Sequence, residues 1–254
     1  MSKVVTVQFE WTYTPKNYLE EPIEISGDQY QISISDGAAL ARIEPSLFAQ
    51  DEGIKERLTA LIECRFQAIQ VMSHSEYTLS RPSRTDITND GKKNIFLEIQ
   101  SAVMKMTCGN VDLIVKDKDG NIISDTKKER LEKQKWFAEA VARHRKHDKI
   151  LDHALKSYQA AVRDPDNEFV HLYEVRDALA NRFGGQKNAL KNLDVTQDEW
   201  DDIGKLANKL PLKQGRHRGS SAGILRDAER SELDIARKSV SKLIEKYLVY
   251  LESE

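Results

Sequence analysis

The stretch Asp125-Thr126-Lys127-Lys128-Glu129 divides this chain in two. Before it, apolar residues recur at every second position over several short runs. After it, they recur three and four apart. Thr126-Lys-Lys-Glu129 has the pattern of a capping box, in which a hydroxyl satisfies first-turn amides and a glutamate reaches back to the cap. The change of period predicts an α+β class: a mixed strand and helix module over 1–125, then an all-α antiparallel bundle over 126–254.

Toward the N-terminus, residues 3–13 read as a strand, with Val5, Val7, Phe9 and Trp11 on one face. Pro15, Pro22 and Gly27 punctuate a loop. Tyr30 to Ser35 is a second strand and Ala38 to Ile43 a third. Ile54, Leu58, Leu61, Ile62, Phe66 and Ile69 then take helical spacing within 51–72. Residues 73–94 are polar and irregular, and Ile95 to Met106 lean to strand. Val111 to Lys116 and Asn121 to Ser124 flank Asp119-Gly120, a hairpin signature. The same turn has a superficial calcium-loop look, but Gly120 as sixth position would put Val115 at the first ligand position and Thr126 at the twelfth.

Toward the C-terminus, helices are expected over about 127–146 and then along Leu151, Ala154, Leu155, Tyr158 and Val162. Asp164-Pro165-Asp166 stops that helix. The next covers 168–183, with Phe169, Leu172, Tyr173, Leu179 and Phe183 inward, and ends at Gly184-Gly185. A short helix follows at 186–193. Thr196-Gln-Asp-Glu199 is a second capping box, starting a helix with Trp200, Ile203 and Leu206 that stops before Pro211. The last helix is expected over about 222–251. Short connections favour antiparallel neighbours.

The chain has 254 residues and a net charge of -2, so any nucleic-acid contact must come from a patch, not from the whole surface. Cys64 and Cys108 sit in apolar contexts and read as buried thiols, with no disulfide framework or zinc spacing. No signal peptide and no apolar run of membrane length is read, so a cytoplasmic protein of prokaryotic type, without membrane association, is expected.

The patch is Asn208-Lys-Leu-Pro-Leu-Lys-Gln-Gly-Arg-His-Arg-Gly219. From Lys209 to Arg226 there are five Lys or Arg and one His (Lys209, Lys213, Arg216, His217, Arg218, Arg226), with no Asp or Glu. Arginine forks bind phosphate oxygens bidentately, and histidine can move a proton near neutral pH. The plainer alternative is a solvated loop whose cations sit near the C-terminus of the preceding helix, where the dipole favours them. Arg143-His-Arg-Lys-His147 is a second basic cluster. His144 and His147 share a helix face, but Arg143, Arg145 and Lys146 would repel a metal, and a solvated basic face explains the cluster. Glu174 and Asp177, three apart, could orient a cation of the 208–219 loop or His217 itself.

The run Leu155-Lys-Ser-Tyr-Gln-Ala-Ala-Val-Arg-Asp-Pro-Asp-Asn-Glu-Phe-Val-His-Leu-Tyr-Glu-Val-Arg-Asp-Ala-Leu179 resembles the first two core helices of Apea-like HEPN domains. That family shows a helix ending in an Asp-Pro turn, then an aromatic-rich helix closing with an acid-Ala-Leu triplet, as at Asp177-Ala-Leu179. The resemblance spans roughly residues 148–251 and places His217 at the family's signature histidine. It implies a HEPN-like bundle, RNA as partner, metal-independent endoribonuclease activity without a cofactor, a homodimer, and a setting in phage defence. It also implies a sensing or partner-binding role for the first module. The chain departs from the family pattern in one respect: no Arg lies four to six residues before His217.

Two functions follow as expectations. In one, His217 is general base on a ribose 2′-hydroxyl, Arg216 and Arg218 hold the scissile phosphate, and Asp177 orients the cation or the histidine. Asn208, Lys209, Lys213 and Arg226 then extend the RNA contact. In the other, the same patch serves a non-catalytic module that binds a nucleic acid, a nucleotide signal or a protein partner.

Overall fold

The computed structural model describes residues 3–96, 112–116, 121–221 and 223–254. The chain is α+β, an antiparallel sheet followed by helices, and divides into two compact units. One comprises residues 1–66 with 77–111, the other residues 67–76 with 112–254. Cys108, the 97–106 stretch and the Asp119-Gly120 turn lie outside the described residues.

The first unit is built on β1 (Val4–Thr14), β2 (Ile23–Gly27), β3 (Tyr30–Ser35), β4 (Ala38–Ile43), β5 (Thr78–Leu79), β6 (Ser83–Thr88) and β7 (Lys93–Phe96). They form an antiparallel sheet in the order β2-β3-β4-β1-β6-β7, with β5 pairing β1. On its buried face β1 places Val7, Phe9, Trp11 and Tyr13. Opposite Phe9 and Trp11 in register stand Ala41 and Ala39 of β4, and beyond them Ile32 and Ile34 of β3. Large, small and large side chains alternate across three strands, which lets the face interdigitate. α1 (Pro45–Gln50) sets Phe48 against Phe9. α2 (Ile54–Ser73) contributes residues 54–66 to this unit, burying Ile54, Leu58, Ile62 and Phe66, and residues 67–73 to the other. The Trp11 indole N–H donates to the Thr59 hydroxyl at 3.1 Å, so the largest core side chain is also hydrogen-bonded.

Three expectations for this unit are corrected. Val5 is 48% exposed, because the β1–β6 register shifts between Val4 and Thr6 and turns it outward. The region between Pro15 and Gly27 contains β2, whose apolar face is too short to stand out in sequence. Residues 73–94 contain β5 and β6, half-buried strands rich in polar residues.

In the second unit, the hairpin of β8 (Ile114–Lys116) and β9 (Ile122–Asp125) precedes α3 (Thr126–His144). The cap of α3 is Asp125, one residue earlier than the capping box predicts. Its carboxylate accepts from the Lys128 amide at 3.1 Å, and Glu129 reaches back to the Asp125 amide at 3.3 Å. The Thr126 hydroxyl is instead committed to the Leu113 amide in the hairpin, at 2.9 Å.

α4 (Lys149–Arg163) and α5 (Glu168–Arg182) form a helical hairpin around Pro165–Asn167. α6 (Gln186–Leu193), α7 (Gln197–Asn208) and α8 (Arg230–Ser253) complete the unit. Phe137, Leu155, Phe169, Leu172, Trp200, Ile203, Leu243 and Tyr247 fill its core. The predicted box at Thr196 is present in full, with Thr196 accepting from the Glu199 amide and Glu199 from the Thr196 amide. α8 begins at Arg230, not near 222. Gly223 takes φ +93°, and the Arg226 backbone pairs with that of Pro211 and Lys213, so the segment before Glu229 is held out of the helix.

Candidate functional site

The basic segment is a folded loop. Pro211 ends α7, Leu212 is buried, and the chain doubles back onto the open carbonyls of the helix C-terminus. The Arg216 amide donates to the Ala207 carbonyl at 2.7 Å, and the Gly215 amide to the Leu212 carbonyl at 3.0 Å. A Cβ on Gly215 would lie 3.1 Å from the Ala207 oxygen and 3.2 Å from that of Leu212, so this glycine permits close backbone approach. With four to six residues between it and His217, the family arginine would fall at Leu210, Pro211 or Leu212. The position of the missing family arginine is thus taken by a helix stop and a core leucine.

The cations of the segment are largely partnered by acids outside it. Lys213 meets Asp227, one residue beyond the acid-free stretch, at 2.9 Å. Arg226 forms a fork with Glu232 of α8, at 2.7 and 2.6 Å. Both carboxylates are held below the usual range by these hydrogen bonds. Arg218 donates to the Gly215 carbonyl at 2.9 Å, the Asp166 carbonyl at 3.0 Å and the Asn167 side chain, so it braces the loop against the α4–α5 turn. The Asn208 side-chain oxygen is buried, with no hydrogen-bond partner among the described residues. Lys209, Arg216 and His217 are exposed.

Arg216 is the surface end of a ladder. Its guanidinium lies 4.2 Å from the centroid of the Tyr173 ring. Arg176 lies 5.0 Å from the same ring and 5.2 Å from that of Trp200, which is fully buried. Cation and aromatic alternate from core to surface, an arrangement in which each guanidinium is attracted to the ring quadrupole. Asp177, one turn along α5 from Tyr173, places a carboxylate oxygen 3.7 Å from Arg216. Glu174 turns elsewhere, accepting from the Ser157 hydroxyl at 3.0 Å. The structure therefore brings Tyr173, Asp177 and Arg216 together, with exposed His217 next in the chain, while Arg218 braces the loop and Lys213 and Arg226 pair with acids at the surface.

The second basic cluster is also absorbed. α3 ends at His144; Arg143 and His144 both meet Glu252, and Arg145 meets Asp152 and Gln67. Arg143, Lys146 and His147 are exposed, as the reading of a solvated basic face expects, while Arg143, His144 and Arg145 also tie neighbouring elements together.

One polar cluster escapes the sequence pattern altogether. Glu168, at the start of α5, is 1% exposed. It is gripped by Arg237 of α8 at 2.6 and 2.8 Å, and His74 Nε2 lies 3.3 Å from the same carboxylate. His74 Nδ1 is 3.3 Å from the Tyr158 hydroxyl, which donates to the Val71 carbonyl at 3.0 Å. Burial, then the Arg237 charge, lowers the His74 pKa to about 3. Glu168 alone would favour the imidazolium, but its charge is already matched by Arg237. The cluster joins three helices, α4, α5 and α8, with His74, the residue that follows α2, so no local spacing announces it.

Among the described residues, no group of three His, Cys, Asp or Glu could hold a metal ion, and no helix is long and apolar enough to cross a membrane. Comparison with family models, with curated proteins and with solved structures finds no match to this chain.

Proposed function

We propose that the helical unit binds RNA at the exposed end of the Trp200–Arg176–Tyr173–Arg216 ladder. The observation that carries this reading is Arg216 itself: an exposed residue whose guanidinium lies 4.2 Å from the centroid of the Tyr173 ring. Such a group can stack on an unpaired base and bond a phosphate with its edge. Lys209 and His217 extend the contact.

A second reading, metal-independent cleavage, is favoured by the Asp177 carboxylate 3.7 Å from Arg216, with His217 next in the chain, and by the resemblance to Apea-like HEPN domains. His217 would take the proton of a ribose 2′-hydroxyl. The 2′-oxygen would bond to phosphorus as the bond from phosphorus to the 5′-oxygen breaks, and solvent water would protonate the departing oxygen. Arg216, oriented by Asp177, would neutralise charge on the phosphorane. In this reading a twofold homodimer would double the small patch into a groove.

The test is fluorescence anisotropy with single-stranded RNA in EDTA, followed by gel analysis of the same samples. Binding that Arg216→Ala weakens supports the interface. RNA cleavage that His217→Ala abolishes supports the second reading, and light scattering of the complex then shows a dimer. RNA affinity indifferent to Arg216→Ala overturns both.

A further inference from the structure

α8 has two unlike sides. Ala236, Val240, Leu243, Ile244 and Tyr247 enter the core. At the same helical spacing on the other side come Arg237, Lys238, Ser241, Lys242 and Lys246, and these line a cleft of about 530 Å³. Val71, Met72 and His74 from the end of α2, Lys133 of α3 and the buried Tyr158 also line it. A cleft of this size takes a small organic ligand and is several times too large for a bare phosphate.

Its charge is lopsided. Five cationic side chains line it against two carboxylates, Asp234 and Glu245. Glu245 is held by Lys133 at 2.7 Å. Lys242 and Lys246 meet Glu199 and Asp194, which do not line the cleft. Lys238 is exposed and, among the described residues, has no carboxylate at ion-pair distance. Arg237 is fixed by Glu168, so one cation is rigidly placed while Lys238 can move to a ligand.

We propose that this cleft binds a small phosphate ester. Lys238, Ser241 and Lys242, at positions i, i+3 and i+4 of one helix, supply ammonium and hydroxyl donors from one face, a set suited to a tetrahedral oxyanion. Val71 and Met72 give the organic part an apolar wall. A carbon body is needed to fill the volume, which is why the ligand is an ester and not inorganic phosphate. This site is separate from the RNA-binding reading of the 208–219 loop and does not depend on it.

Isothermal titration calorimetry of the full chain tests it with AMP, adenosine and inorganic phosphate as probes. The expected result is AMP binding at one site, at least tenfold tighter than inorganic phosphate, with no binding of adenosine. Lys238→Glu lowers AMP affinity at least tenfold while the circular dichroism spectrum stays unchanged. Arg216→Ala binds AMP like the wild type. Adenosine binding as tight as AMP, phosphate binding as tight as AMP, or no heat with millimolar AMP overturns the proposal. So does Lys238→Glu binding AMP normally. Loss of AMP binding in Arg216→Ala would move the ligand to the loop and overturn the assignment to the cleft.

Discussion

Asn167 and Glu168 are neighbours in the chain and anchor two different parts of the helical unit. The Asn167 side chain accepts from Arg218 and fixes the basic loop. The Glu168 carboxylate takes both branches of Arg237 and the His74 ring, and fixes α8 and the end of α2. The Asp-Pro turn that holds them is short and closed by its own bonds, the Asn167 amide nitrogen donating to the Asp164 carboxylate at 2.8 Å. Two residues of one turn thereby position both candidate surfaces.

Arg237→Ala is expected to destabilise the protein by about 3 kcal/mol at pH 8, because it leaves the buried Glu168 carboxylate without its counter-charge. The loss should shrink toward pH 5. Burial, the larger cause of the lowered His74 pKa, remains, but with Arg237 gone its repulsion is gone and the unmatched Glu168 charge favours a protonated His74 that can pair with it. Urea denaturation of the variant at both pH values checks this. An equal loss at both would show that His74 does not take over.

Wild-type stability should itself carry a His74 signature. The unfolded histidine binds a proton near pH 6.5, whereas the folded one, facing Arg237, Glu168 and Tyr158, resists it down to about pH 3. Across that window the unfolded state binds more protons, so stability rises with pH, by up to about 1.4 kcal/mol per unit from this group. His74→Gln should remove that part of the slope. Denaturation midpoints between pH 4 and 7, wild type beside variant, measure it, and parallel curves would rule the contribution out.

Arg216→Ala and Arg218→Ala should differ, although the two residues flank the same histidine. If the helical unit binds RNA as proposed, removing Arg216 deletes a phosphate contact and should reduce the salt slope of binding by about 0.7. Removing Arg218 should leave that slope unchanged and instead free the loop, seen as faster proteolysis around Arg216. A lowered slope in Arg218→Ala would show that its guanidinium leaves the α4–α5 turn to meet RNA.

Thr196→Ala removes the hydroxyl that caps α7 and leaves a first-turn amide without its acceptor. The expected loss is about 1 kcal/mol, measured by thermal denaturation, with RNA affinity unchanged. A loss of RNA affinity in this variant would show that the α7 start, and not only its end, shapes the interface.

By itself the sequence determined where elements lie when one side chain period runs unbroken. β1, β3, β4, α4, α5 and the Thr196 cap were all legible, because burial of one face imposes a period of two or of three to four, and a capping box needs only four consecutive residues. It also pointed to Arg216 and Asp177, whose charged groups the structure sets 3.7 Å apart. It did not determine which basic residues stay exposed. The acid-free run ends just before Asp227, and the acids that engage Arg226 and Arg216 are on α8 and α5. Only the tertiary structure decided that Arg218 is a brace and Arg216 a surface group. Likewise, Glu168, Arg237 and Tyr158 come from three helices and His74 from the residue after a fourth, and Coulomb attraction and burial act across space without regard to sequence separation. A local pattern registers neither, so the buried cluster and the cleft beside it became visible only once the helices were packed.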